Sequence, residues 1–157
     1  MNSEGGNLAS CEAYNGSGEW QEVAPLASAR HALAVAQGND HMYAVGGWAN
    51  GKDFSGECER FDVSTGAWKM CAEMGTPRRL HGAAVHQDGR LYVFGGASKD
   101  RFFINDSECY SPLTDEWHTI KPLPALCNAS AVACGEYCES QTIYFISFRA
   151  FGHGRLA

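Results

Sequence analysis

The chain has 157 residues, enough for one domain with a sizeable core, and 45% of them are hydrophobic, which excludes a disordered polar tail. Lys plus Arg number 12 and Asp plus Glu 18, so the net charge is −6; nucleic-acid and anionic-membrane surfaces both need a basic footprint, and neither partner is expected. Gly is 18 of 157 and charged residues are 19%, a balance that suits many short strands joined by tight turns.

Residues 1–7 are polar and read as a disordered leader. They lack the basic segment and apolar stretch of a signal peptide, and no run reaches the roughly 18 apolar residues of a membrane-spanning helix. The seven cysteines are odd in number and sparse, which predicts free thiols in a reducing, cytoplasmic setting.

The first predicted strands are 8–14 and 20–23, the second opening at Trp20. A strand over 32–36 follows, then a turn at 38–40 and a nearly continuous apolar strand over 41–45 that stops at Gly46 and Gly47. A strand over 58–61 leads through the turn formers Ser64, Thr65 and Gly66 to another that begins at Trp68. The order then recurs, with strands over 82–86 and 90–94, the pair Gly95 and Gly96, a strand over 108–110, a turn over 112–115 and a strand at Trp117. A last pair is predicted over 129–133 and 142–146, and the tail 148–157 fits no part of the pattern.

The anchors are periodic. Trp20, Trp68 and Trp117 are 48 and 49 residues apart, and Tyr14, Phe61 and Tyr110 precede them by six, seven and seven. Tyr43 with its glycine pair recurs as Tyr92 with its own, 49 residues later. Arg30 and Arg78 both open the apolar segment of a first strand. Four features in one order at one period define a repeat.

These features resemble the kelch repeat, a blade of a β-propeller, and the Arg pattern resembles that of the Kelch-like proteins. The implied fold is all-β, with four-stranded antiparallel blades in an incomplete propeller of about three blade-equivalents. These are a half blade at 8–24, blades at 29–72 and 77–121, and a half blade at 127–147. Gly46, Gly47, Gly95 and Gly96 are expected where backbones crowd or turn with positive φ. The rings of Trp20, Trp68, Trp117, Tyr43 and Tyr92 are expected to fill the wedge between blades. A closed ring needs roughly four to eight blades, so an open arc would expose strand edges, and self-association of two copies would supply six.

Kelch-like proteins carry BTB and BACK domains ahead of a usually six-bladed propeller and present substrates to a cullin-based ubiquitin ligase. Neither domain is expected in this stretch. The resemblance therefore implies a protein partner, either a ubiquitination substrate or, as kelch modules also organise the cytoskeleton, actin. Its docking positions transfer to two sets. One follows the Arg of each first strand: His31, Arg79 and Asn128, the last after Cys127 in place of Arg. The other follows the glycine pair: Trp48 and Ala97. Trp and Arg are frequent interface hot spots, and Arg79 offers a planar fork to a carboxylate. The loops 49–54 and 98–103 add aromatic rings and cations beside them.

No enzyme chemistry is expected. The six His show no metalloprotease spacing and no nucleophile motif, and no paired Tyr and His suggest the copper site of a kelch-type oxidase. Cys134 and Cys138 are half of a zinc site with no second pair, so neither metal nor cofactor is expected. Cys11 and Cys58 occupy equivalent places in the repeat, which points to packing. The sequons at Asn15, Asn105 and Asn128 are read as chance.

Overall fold

The computed structural model describes residues 7–14, 16–38, 40–49, 54–124, 132–133 and 144–145. Fourteen strands are present and no helix occurs among the described residues. They are β1 (Cys11–Tyr14), β2 (Trp20–Val23), β3 (Arg30–His31), β4 (Ala34–Gln37), β5 (His41–Val45), β6 (Trp48–Ala49) and β7 (Cys58–Asp62). There follow β8 (Ala67–Cys71), β9 (Gly82–Val85), β10 (Leu91–Phe94), β11 (Ser107–Ser111), β12 (Glu116–Ile120), β13 (Val132–Ala133) and β14 (Tyr144–Phe145).

Two antiparallel four-stranded sheets, β4-β5-β7-β8 and β9-β10-β11-β12, are the two expected whole blades. The hairpin β1-β2 is the leading half blade, and β13 pairs with β14 where the trailing one was expected. The remainder of that unit, with Cys127, Asn128, Cys134, Cys138 and the tail, lies outside the described residues.

The boundaries differ from the sequence reading for physical reasons. β4 begins at Ala34 rather than 32, because Ala32 has φ 54°, a left-handed conformation no strand accommodates. Leu80, its counterpart in the next blade, has φ 52°. β1 begins at Cys11 rather than 8, because the Leu8 and Ala9 carbonyls accept from Arg30 N and Leu26 N, in the linker to the following blade. A two-residue ladder was missed altogether: β3 pairs with β6, Arg30 opposite Ala49 and His31 opposite Trp48. An isolated bridge joins Arg79 to Ala97 at the same place in the next blade.

The core sits at the seam between the two sheets. Ala34, Ala36, Tyr43, Val45 and Cys58 from one blade pack with Ala83, Leu91, Val93 and Tyr110 from the other, and Met74 joins them. Small residues on the inner strands let the sheets approach, and the rings fill the widening gap. Tyr43 meets Tyr110 edge-on at 6.1 Å across the seam. The leading half blade and the two whole blades each have an aromatic pair: Tyr14 with Trp20, Phe61 with Trp68 and Tyr110 with Trp117, at 5.4, 5.1 and 5.2 Å. Trp68 Nε1 donates to the Ala24 carbonyl and Trp117 Nε1 to the Ala72 carbonyl, both at 2.8 Å. Each indole thus latches its blade to the end of the preceding outer strand. Trp20 departs from expectation. It is 67% exposed, because no described strand lies on its far side.

Trp117→Phe keeps the ring and removes the latch, so it should cost about 1 kcal/mol. Trp117→Ala also removes packing and should cost about 3 kcal/mol. Urea unfolding of the two variants against the parent measures both. Equal stability of all three would show that the indole latch does not hold the seam.

Candidate functional site

Each blade buries one guanidinium at its entry. Arg30 Nη2 pairs with Glu59 Oε1 at 2.7 Å and Arg78 Nη2 with Glu108 Oε1 at 2.6 Å. Most of the remaining donors are used as well, the buried Arg30 Nε being unpartnered among the described residues. Arg30 reaches the Glu57 and Ala44 carbonyls, and Arg78 those of Thr76, Gly95 and Asp106. The carboxylates also accept backbone N–H groups from the preceding linker: Ala27 N on Glu59, and Gly75 N and Thr76 N on Glu108. Burial works against the Arg78 charge, and Glu108 sustains it.

The residue after each buried Arg is thereby aimed outward. His31 follows Arg30 on β3, and Arg79 follows Arg78 in the bridge to Ala97. The residue after each glycine pair lies opposite. Gly46 and Gly47 have φ of 65° and 105°, and a Cβ on them would stand 2.6 Å from Arg78 O and 2.7 Å from His31 O. Gly47 N donates to Arg78 O at 2.8 Å, so the turn lies against the next blade.

The two expected docking sets therefore pair in space, His31 with Trp48 and Arg79 with Ala97. Across the seam they also meet. The Arg79 guanidinium lies 4.3 Å from the centroid of the Trp48 ring and 5.1 Å from that of Phe54. Trp48 is tilted against Phe54 at 5.7 Å and stacked on His31 at 6.3 Å. Asn7, read from sequence as part of the leader, binds His31 Nδ1 through Oδ1 at 2.5 Å and donates Nδ2 to the Trp48 carbonyl at 3.0 Å. The result is a half-buried shelf of two rings, an imidazole and a cation. No described carboxylate pairs with Arg79, and its Nε is buried without a hydrogen-bond partner.

Two sequence expectations change, those for Ala97 and Arg101. Ala97 is only 4% exposed, so it offers no side chain to a partner; its backbone holds Arg79 in place through N–H···O bonds of 3.0 and 2.9 Å. Arg101 is not a free cation, since Asp106 pairs with it. Asn105 is a structural residue, donating Nδ2 to the Leu123 carbonyl at 3.0 Å. Asn15 and Asn128 lie outside the described residues. Phe102 stands 78% exposed, edge-on to Phe103 at 4.8 Å, as a second aromatic prominence.

His81 lies beneath the shelf, 5% exposed, and neither ring nitrogen has a hydrogen-bond partner among the described residues. Burial, then the Arg78 charge, pulls its pKa down to about 3, so it stays neutral.

Comparison with known proteins comes to the same repeat. The family described as the KLHDC2/KLHL20/DRC7 Kelch-repeats domain matches residues 7–146. Kelch-like protein 38 of Rattus norvegicus is 28% identical over 138 residues, which cover 85% of this chain and 23% of that protein. Kelch-like protein 40 of Mus musculus is 32% identical over 106 residues, covering 68% and 17%. Beta-scruin of Limulus polyphemus is 30% identical over 127 residues, covering 76% and 14%. The chain spans less than a quarter of the length of these relatives.

Glu108→Leu leaves Arg78 buried and uncompensated and should cost about 3–5 kcal/mol, whereas Arg78→Met with Glu108→Leu should cost far less. A double-mutant cycle from chemical denaturation measures this. For His81 the unfolded chain gains a proton near pH 6.5 that the folded chain refuses until pH about 3. Stability is therefore full above that range and falls as pH drops through it, by at most about 1.4 kcal/mol per pH unit from this group. His81→Leu, the residue type of Leu33 at the equivalent place, should flatten the acid limb of a melting-temperature profile between pH 4 and 6 by the His81 contribution. An unchanged profile would show that His81 is not held neutral.

Proposed function

The chain belongs to the kelch-repeat family of the Kelch-like proteins, a protein-interaction domain, and from that premise we propose that it is the substrate-recognition face of a cullin-based ubiquitin-ligase adaptor in the cytoplasm. The observation that carries this reading is the shelf of His31, Trp48, Phe54 and Arg79. A guanidinium resting on two rings keeps its outer donors for a carboxylate, and the rings offer a surface for an apolar or aromatic side chain. An acidic peptide carrying an aromatic residue is the matching ligand. Contact with the ligase belongs, in this reading, to BTB and BACK domains, as the resemblance implies.

Fluorescence anisotropy with a labelled acidic peptide bearing one Trp tests the recognition step. Arg79→Ala and Trp48→Ala should each weaken binding by at least about 1 kcal/mol, roughly fivefold. The same peptide with Lys for Glu should not bind. Undiminished binding in both variants would overturn the assigned face. Cosedimentation with filamentous actin that persists in both variants would favour a cytoskeletal role instead. For the ligase step, a protein captured by the parent chain and lost from Arg79→Ala should be ubiquitinated in cells. A captured protein whose ubiquitination does not depend on cullin activity would overturn that part alone.

A further inference from the structure

Cys58 opens β7 and Cys71 closes β8, and the register sets them directly opposite each other. Opposed residues of an antiparallel ladder share a face with Cα atoms about 4.5–5.5 Å apart, inside the roughly 4.4–6.8 Å that a disulfide spans. Both thiols are free, and the Cys71 thiol donates to the Lys69 carbonyl at 3.9 Å. Repeat packing accounts for only one of them. The corresponding opposed pairs are Cys11 with Val23 and Ser107 with Ile120, so nothing in the blade pattern calls for a second cysteine at 71.

Their surroundings separate two roles. Cys58 is wholly buried, whereas Cys71 is half-buried on the outer strand. The neighbouring Cys58, then Tyr110 and the charge of Arg60, pull the Cys71 thiol down, and the neighbouring Cys71, together with burial, pushes Cys58 up. Cys71 is thus the thiol that water-borne reagents meet first, with Cys58 behind it.

We propose that Cys58 and Cys71 form a redox-modification site that closes into a cross-strand disulfide when hydrogen peroxide reaches Cys71. The Cys71 thiolate attacks one peroxide oxygen and the O–O bond breaks. Cys71 becomes a sulfenic acid, and the departing hydroxide takes a proton from solvent to leave as water. Cys58 then loses its proton and attacks the Cys71 sulfur. The S–S bond forms as the S–O bond breaks, and the released hydroxide takes that proton as a second water. Two thiol groups give up two electrons and the peroxide is reduced to two waters. The bridge fastens the end of β8 next to Ala72, whose carbonyl accepts from Trp117 Nε1 and whose N–H donates to Asp115.

The test is a peptide map of the reduced, folded 157-residue chain after stoichiometric hydrogen peroxide and capping of remaining thiols with iodoacetamide. The expected product is a bridged peptide joining Cys58 to Cys71, lighter by two hydrogens. Cys58→Ser should abolish the bridge and leave Cys71 as a sulfenic acid trapped by dimedone. Cys71→Val should abolish both bridge and trap. The two substitutions introduce the residue types of Ser107 and Val23 at equivalent places, and a cooperative melt checks each fold. If either fails that check, the map of the parent chain decides alone. Iodoacetamide adducts on both Cys58 and Cys71 after peroxide, or bridges to Cys11, Cys109, Cys127, Cys134 or Cys138 in equal yield, would overturn the proposal.

Discussion

A guanidinium buried at the entry of each blade sets where the rest of the chain can go. Arg78 alone ties three separate pieces of backbone: the entry linker at Thr76, which Glu108 also holds through Gly75 N and Thr76 N, the end of β10 at Gly95, and the approach to β11 at Asp106. Arg30 and Glu59 do the same one repeat earlier. Such a pair gains little net stability over an apolar replacement, since two charges must be desolvated. What it supplies is geometry. The guanidinium Nη donors and the carboxylate oxygens find their partners in this arrangement of strand, turn and linker, and a less satisfied alternative is costly.

The shelf of His31, Trp48, Phe54 and Arg79 is a consequence of that arrangement. Once Arg30 and Arg78 point inward, His31 and Arg79 are turned to the face, and the chain must then leave through Ala32 and Leu80 at positive φ. Non-glycine residues held there cost of order 1–3 kcal/mol each, which the surrounding hydrogen bonds offset. Leu80 N bonds Ala32 O at 3.0 Å, so one strained position rests on the other. The glycine pair completes the geometry. Only a residue without Cβ fits against Arg78 O and His31 O, and the next residue, Trp48, emerges beneath Arg79 of the neighbouring blade. The face straddles two blades because the turn of one is hydrogen-bonded to the entry of the other.

The strand order and the two whole blades were legible because they rest on local signals: apolar runs, turn residues, and aromatic anchors at a constant spacing. The inward role of the glycine pairs was legible for the same reason. Long-range pairings were not. Glu59 and Glu108 lie 29 and 30 residues from their arginines, and only the folded sheet brings them together. The sequence named His31, Trp48, Arg79 and Ala97, but their stacking was hidden, as was the burial of Ala97 by its bridge to Arg79. Cys71 escaped notice for a related reason. Alignment of repeats finds Cys11 and Cys58, while the residue opposite each depends on ladder register.

Register also explains why the shelf is held rigidly. Val45, Cys58 and Cys71 form one row across β5, β7 and β8, directly beside the glycine pair. The segment between that row and Phe54 is clamped at each step: Ser55 N on Gly47 O, Arg78 N on Ser55 O, Met74 N on Gly56 O, and Gly46 N on Glu57 O. Phe54 and Trp48 are therefore fixed before any ligand arrives, and Arg79 is already stacked on both. Ordering a free Arg on binding would cost about 0.5–1.5 kcal/mol in lost rotamers, a cost already met in folding here. A flexible loop carrying the same residues would present the same chemistry with weaker affinity, so under the proposed function the buried Arg and Glu pairs act on recognition without touching the partner.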